Sequence, residues 1–191
     1  MLNKRVVVGF VAAAWVAGAW WGPAAADEAK KEFTFAGSKT CKMCHNKEAT
    51  GAQYDLWMAG PHAKAFEVLA SDAAKTEAAK QGIEDAQKAP QCLKCHVTAF
   101  PVMDALADLK LTMEEGVSCE SCHGAGSAYK SKKVKDGIAA GEIDPAGVGL
   151  IAPTKELCMG CHQAEGNAFF KEFKFEEAVK KIAHPIPGSG E

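Results

Sequence analysis

The sequence repeats one five-residue pattern, Cys-x-x-Cys-His, four times, and the repeat uses every cysteine of the chain. All eight cysteines lie in pairs three positions apart, and a histidine directly follows each pair. A disulfide framework therefore has no cysteines left to use. The copies, called motifs 1 to 4, are Cys41-Lys-Met-Cys44-His45, Cys92-Leu-Lys-Cys95-His96, Cys119-Glu-Ser-Cys122-His123 and Cys158-Met-Gly-Cys161-His162.

The spacing within each motif is typical of sites where haem c is covalently attached. Two cysteines three positions apart share one face of a helical turn, so both thiols can bond to a porphyrin while the adjacent histidine reaches the iron. Structural zinc sites also use Cys-x-x-Cys pairs, but zinc does not need a histidine after every second cysteine. The pattern predicts four haem c groups, attached through the eight motif cysteines and ligated by the four motif histidines, with zinc as the alternative.

The N-terminal segment 1–26 has the features of a secretory signal peptide. Two basic residues precede a 16-residue apolar run, 6–21, and Ala24-Ala25-Ala26 offers small residues to a peptidase. An uncleaved anchor is the weaker alternative, because the run is shorter than the ~20 residues that span a bilayer. We expect cleavage near Ala26, a periplasmic mature protein, and no stable membrane span after cleavage.

The charge of the chain argues against a nucleic-acid partner. The net charge is −2, and removal of 1–26 takes Lys4 and Arg5 with it, which leaves 20 lysines against 24 acidic residues. Such a chain offers no broad basic surface to a phosphate backbone. We expect one tetrahaem cytochrome c domain over 27–184 and a flexible tail over 185–191.

The expected fold class is mainly α-helical and loop-rich, with the chain wrapped around four closely packed haems. Helical patterns cover 63–89, with a break near Gly82, and 102–113. The stretch 124–153 is rich in glycine and alanine and is predicted to be irregular. Apolar residues at helical spacing predict a last helix that Pro185 ends.

Six histidines cannot fill every axial position of four haems. Four irons have eight axial positions, the motif histidines fill four, and only His62 and His184 remain. At least two irons therefore lack a second histidine, and association of identical chains does not change this ratio. We expect His62, placed after Pro61 at a helix start, and His184 to be distal ligands.

Lysine, methionine or an open position remains for the other irons. Methionine is the usual sulfur ligand, although filling gaps in the core is its commoner role. The candidates are Met43, Met58, Met103, Met113 and Met159. The first and last of them lie between paired cysteines, where they cannot easily fold back over their own haem.

The ordered set of motifs resembles the cytochrome c-554 family of tetrahaem electron carriers. The resemblance rests on Trp57 with His62-Ala63-Lys64-Ala65 after motif 1, on 116–126 around motif 3, and on 173–177 before His184. It implies a mainly helical fold around stacked and edge-on haem pairs. It also implies three six-coordinate haems and one five-coordinate haem.

The resemblance further implies which ligands face each other. It places His62 opposite His123 and His184 opposite His162. It leaves an open iron on His96.

For the first haem, the family uses a histidine ten residues beyond the motif 3 histidine, and this sequence has Lys133 there. Lys133 is therefore a candidate amine ligand opposite His45; otherwise that iron is open or bound by methionine. An alternative is that lysines 130, 132, 133 and 135 form a solvated basic face or pair with haem propionates.

Three functions are compatible with these features, the third being that of a structural or filament-forming haem subunit or a haem-based gas sensor. The first is periplasmic electron transfer between a redox protein donor and a redox protein acceptor, in which the protein sets haem ligation, burial and spacing. The second is binding or reduction of a small molecule, such as nitric oxide, nitrite or hydroxylamine, at a five-coordinate haem on His96. The first makes the protein an electron carrier rather than an enzyme.

Overall fold

The computed structural model describes residues 32–100, 102 and 110–184, which belong to one compact unit beginning at Glu32. These ranges contain α-helices, short 3-10 turns and no strand. The helices are α1 (Ser38–His45), α2 (Gln53–Ala59), α3 (Asp72–Lys80), α4 (Pro90–His96), α5 (Cys119–His123), α6 (Lys132–Ala139), α7 (Lys155–Met159) and α8 (Phe175–Ile182). The prediction of a mainly helical, loop-rich fold is confirmed.

The described helices are short, and the longest of them, α3, has nine residues. Helices of this length are marginal in water, so they depend on caps and on packing. Hydroxyl groups cap three of them: Ser71 accepts from the amide of Ala74, Ser131 from that of Val134, and Thr154 from that of Leu157. None of the described helices is long and apolar enough to cross a membrane.

The apolar core that the described side chains build among themselves is small. It is centred on Leu69, Leu93 and Val97, with two buried alanines and a margin of partly buried side chains that includes Met113. Met113 thus packs against this core. Many large apolar side chains of the described residues stay exposed instead: Met43, Leu56, Met58, Val68, Ile151, Leu157, Phe169, Phe170 and Ile182.

Two of the secondary-structure predictions are wrong in part. Within 63–89 the only α-helix is α3; 3-10 turns precede it, and turns rather than a second helix follow Gly82. Within 124–153, predicted to be irregular, α6 is helical because Ser131 caps it and because Val134 and Ile138, four residues apart, share one face. The high glycine content of the surrounding stretch obscured this short pattern.

The two spare histidines lie in short or terminal elements. His62 opens a 3-10 turn, His62–Lys64, directly after Pro61, rather than a longer helix. His184 lies just beyond α8, which ends at Ile182. The predicted signal peptide, Met103 with most of the predicted helix 102–113, and the tail 185–191 lie outside the described residues.

Candidate cofactor site

Each motif folds as a single helical turn. Motif 1 forms the end of α1, motif 2 the end of α4, and motif 3 the whole of α5. In motif 4 the helix ends at Met159, but the amides of Cys161 and His162 both donate to the carbonyl of Cys158, at 3.2 and 3.0 Å, and continue the turn. All four segments therefore have the local backbone that a doubly attached porphyrin needs.

Cysteines of different motifs lie next to each other. The thiols of Cys41 and Cys119 share a hydrogen bond, which lowers the pKa of Cys41 and raises that of Cys119. Burial, with a hydrogen bond to Cys95, raises the pKa of Cys161 to about 12. Burial also raises the pKa of Cys122, with a smaller contribution from Cys158. Motif 1 therefore contacts motif 3 and motif 4 contacts motif 2, while the influence of Cys158 on Cys122 places motif 4 near motif 3.

Each spare histidine lies beside a motif histidine, with the two rings tilted relative to each other rather than stacked. The ring centroids of His62 and His162 are 6.0 Å apart, and so are those of His123 and His184. A metal–imidazole bond is about 2 Å, so two imidazoles on opposite sides of one metal have centroids roughly 6 Å apart. The residues therefore fit an iron atom with two axial imidazoles, while a porphyrin would supply the other four nitrogen ligands.

These contacts reverse the assignment that the resemblance implied. His62 faces motif 4 rather than motif 3, and His184 faces motif 3 rather than motif 4. The structure does not bring the expected partners together. The reason is topological: His62 lies 61 residues from His123 and 100 residues from His162 in the sequence, and neither spacing determines how the loops between them fold back.

The second ring nitrogen of two motif histidines has a backbone or side-chain partner. Nδ1 of His96 lies 2.6 Å from the carbonyl oxygen of Ala65, and Nδ1 of His45 lies 3.3 Å from Oε1 of Gln53. When Nδ1–H donates to such an oxygen, Nε2 is left as the metal-binding atom and the ring is held in orientation.

Burial favours the neutral form of the four histidines His45, His62, His123 and His162. It is the main cause that lowers the pKa of each of them below the ordinary value of 6.5. A neutral imidazole is the form that binds a metal. His162 is also held by Phe173, whose ring stacks on it at 4.4 Å.

A close backbone approach positions His62. The amide of Val117 donates to the carbonyl of His62 at 3.0 Å, and the indole of Trp57 donates to the carbonyl of Val117 at 2.9 Å. Gly116 has a φ of +60°, and a Cβ there would lie 2.7 Å from the carbonyl oxygen of His62. Trp57 and Gly116 therefore hold the His62 turn against the segment that leads into motif 3.

Sequence reasoning missed two buried glutamates beside motifs 1 and 3. Glu120, inside motif 3, accepts hydrogen bonds from the amides of Ala36, Gly37 and Gly126 at 2.6–2.8 Å. Glu115 accepts from the amide of Ser38, the first residue of α1, at 2.8 Å. Nothing in the pattern Cys119-Glu-Ser-Cys122 distinguishes a buried carboxylate from a solvated one.

The other candidate ligands differ in how far they are exposed to solvent. Lys133 is exposed and lines a surface groove with Gly137 and Ile143, whereas Lys135 is half-buried. Met43 and Met58 are exposed, and Met159 is half-buried. Within the described ranges, no three residues of the types His, Cys, Asp and Glu are grouped so that they could hold a metal ion by themselves.

Helical Cys-x-x-Cys-His turns that face imidazoles across an iron-sized gap are features of c-type cytochromes, which carry covalently attached haem c and work in electron transfer. The sequence profile of the family described as "Cytochrome c554 and c-prime" matches residues 40–124. Cytochrome c-554 of Nitrosomonas europaea is 31% identical over 176 residues, which cover 78% of this chain and 73% of that protein. No solved structure matches. The chain belongs to the cytochrome c-554 family.

Proposed function

We propose that this chain is a periplasmic cytochrome with four haem c groups that relays electrons from one redox protein to another. The observation that carries the proposal is that cysteines of different motifs lie close together: Cys41 contacts Cys119, Cys161 contacts Cys95, and Cys158 lies near Cys122. Each of these cysteines would anchor the edge of a porphyrin. Neighbouring cysteines would therefore bring neighbouring haem edges together in the series 1–3–4–2.

The chemistry of electron transfer would come from the haem irons, and the chain would hold and tune them. The pairs His62–His162 and His123–His184 would supply two axial imidazoles each to the haems of motifs 4 and 3. The described polypeptide contributes few large buried side chains of its own, so the porphyrins would complete the core. Haem-free chain should therefore fold poorly.

The first test is the mass and the redox completeness of the exported protein. We expect purified protein from the periplasm to begin at Asp27 and to exceed the mass of polypeptide 27–191 by four haems. Fully reduced protein should be oxidised completely by a small redox protein acceptor. A mass with fewer haems, or an oxidation that stops with some haems still reduced, would contradict a continuous relay of four.

The ligand pairs can be tested by combining each histidine substitution with the loss of the haem that the histidine is proposed to bind. His62→Ala should change one haem from low to high spin in the electron paramagnetic resonance spectrum. The same substitution should have no effect on the spectrum of a chain that lacks the motif 4 haem through Cys158→Ser and Cys161→Ser. His184→Ala serves as the control, because its effect should persist in that background. The opposite result would restore the pairing that the resemblance implied.

A second candidate function is reduction of a small molecule at the motif 2 iron. Of the six histidines, His62 and His184 face His162 and His123, so no histidine is left for the iron on His96. This iron would be open to nitric oxide, nitrite or hydroxylamine. Steady consumption of one of these by reduced protein, lost on His96→Ala, would support this function; a ferric spectrum that is entirely low-spin would contradict it.

A further inference from the structure

The short turn 62–65 contacts two different motifs. At its start, the imidazole of His62 lies beside that of His162, with the ring centroids 6.0 Å apart. At its end, the carbonyl oxygen of Ala65 lies 2.6 Å from Nδ1 of His96. The amide of Ala65 also donates to the carbonyl of His62 at 3.1 Å, which closes the turn. Motif 4 and motif 2 therefore meet at the two ends of a single turn of backbone.

Both ends of this turn are fixed by contacts with the rest of the fold. The carbonyl of His62 accepts a hydrogen bond from the amide of Val117 at 3.0 Å. Phe66, directly after the turn, packs against the core cluster that contains Leu93 and Val97. Leu93 lies inside motif 2 and Val97 directly follows it. A turn held at both ends keeps its two functional groups, the first imidazole and the last carbonyl, at a fixed separation.

Gly116 lies between this turn and the segment that follows motif 2. Its carbonyl accepts from the amide of Thr98, two residues beyond the motif, at 2.8 Å. Its Cα lies against the turn, because a Cβ there would be 2.7 Å from the carbonyl oxygen of His62 and 3.2 Å from the amide nitrogen of Ala65. The φ of +60° also favours glycine. A residue with a side chain therefore cannot occupy this position without displacing the turn.

We propose that the turn 62–65 positions the axial ligands of two irons at once, and that Gly116 is the positioning residue that holds the turn in place. The imidazole of His62 would be one axial ligand of the motif 4 iron. The carbonyl of Ala65 would orient the imidazole of His96 on the motif 2 iron. The inference rests on the proposed function, since it needs a haem on each of these two motifs.

The hydrogen bond between His96 and Ala65 should lower the reduction potential of the motif 2 haem. A ligating imidazole whose Nδ1–H donates to a carbonyl is a more basic ligand. A more basic axial ligand stabilises ferric iron relative to ferrous iron. Displacing the turn would weaken this hydrogen bond and, in the same movement, the bond between His62 and the motif 4 iron. A single substitution at Gly116 should therefore alter both haems.

Three substitutions test the role of Gly116. Gly116→Ala places a methyl group against the turn. Gly82→Ala is the matched control, because Gly82 also has a positive φ, +69°, but a Cβ there would meet nothing within 4 Å. Trp57→Phe is a milder second variant, because it removes the indole that donates to the carbonyl of Val117 at 2.9 Å and adds no bulk at the turn.

The test is a potentiometric titration of each purified four-haem protein, followed by visible absorption and by low-temperature electron paramagnetic resonance. The motif 4 haem is the low-spin signal that disappears with Cys158→Ser and Cys161→Ser. The motif 2 haem is the redox transition that disappears with Cys92→Ser and Cys95→Ser.

We expect Gly116→Ala to raise the potential of the motif 2 haem and to shift or abolish the low-spin signal of the motif 4 haem. Trp57→Phe should produce smaller changes in the same direction at both haems. Gly82→Ala should match the wild type.

Three results would overturn the inference: a motif 2 potential that stays constant or falls in Gly116→Ala, a change confined to one of the two haems, or changes no larger than those in Gly82→Ala. If Gly116→Ala matures with fewer than four haems, Trp57→Phe is decisive, because the same pair of changes must appear in it and the absence of either refutes the shared turn. A wild-type mass short of four haems would instead refute the proposed function.

Discussion

Motifs 3 and 4 share one chemistry but differ in how the polypeptide holds them. Motif 3 is anchored on both sides: Thr98 accepts from the amide of Ser118 at 2.7 Å and hydrogen-bonds Ser121 at 2.6 Å, and the carboxylate of Glu120 is 3% exposed. Motif 4 begins in the last two residues of α7, a helix whose first turn is exposed. The polypeptide therefore fixes the position of motif 3, whereas motif 4 would depend on its cofactor to fix its position.

The largest expected difference between the two motifs concerns loss of the haem. Cys119→Ser with Cys122→Ser should lower the periplasmic yield of folded protein about tenfold or more, because motif 3 adjoins both motif 1 and motif 4. Cys158→Ser with Cys161→Ser should leave a folded three-haem protein with a protease-sensitive C-terminal part. The yield of folded protein and limited proteolysis measure the effect of each pair of substitutions. Equal losses of yield would show that the fold depends on the motif 4 haem as much as on the motif 3 haem.

The next largest effect should come from the carboxylate inside motif 3. Glu120→Ala leaves three buried amide donors without an acceptor, which should destabilise the protein by about 3 kcal/mol or more. Denaturant unfolding of the holoprotein measures the change. Glu165→Ala, at an exposed position beyond motif 4, is the control and should give the wild-type curve. An effect of Glu120→Ala as small as that of the control would contradict the anchoring of motif 3.

A smaller, pH-dependent effect is expected from Glu115. Burial raises the pKa of this carboxyl above its ordinary value of 4.5. The folded state therefore binds more protons than the unfolded state as the pH rises above 4.5, and stability falls through that window. Glu115→Gln should be more stable than wild type by about 1 kcal/mol at neutral pH, with no gain below pH 4.5. Unfolding across a pH series measures this; a gain that does not depend on pH would contradict it.

The smallest effect is expected at the cap of α7. Thr154→Ala removes the acceptor for the amide of Leu157 and should cost about 0.5–1 kcal/mol. Because α7 makes few other contacts, faster hydrogen exchange should be confined to its amides. Exchange that also accelerates in α5 would show that motifs 3 and 4 open together.

The sequence was sufficient for features that depend on local spacing. The Cys-x-x-Cys-His turns, the class of fold and the family could all be predicted, because each depends on residues a few positions apart or on an ordered set of motifs. The helix α8 was also anticipated from Phe175, Val179 and Ile182. A local pattern can be interpreted without information on the contacts between distant loops.

Features that depend on contacts between distant parts of the chain could not be predicted. The partners of His62 and His184, and the burial of Glu115 and Glu120, are set by contacts between residues far apart in the sequence. The difference in exposure between Lys133 and Lys135 required the phase of α6, which lies in a stretch whose glycines favoured an irregular interpretation.

The order in which the motifs adjoin differs from their order along the chain. Motifs 1 and 2 come first in the sequence, yet they lie at the two extremes of the series 1–3–4–2. In such a series electrons would enter and exit through segments that both belong to residues 38–96, while the later half of the chain would form the interior of the path. Substitutions within residues 38–96 could then alter the sites where electrons enter and leave without changing motifs 3 and 4.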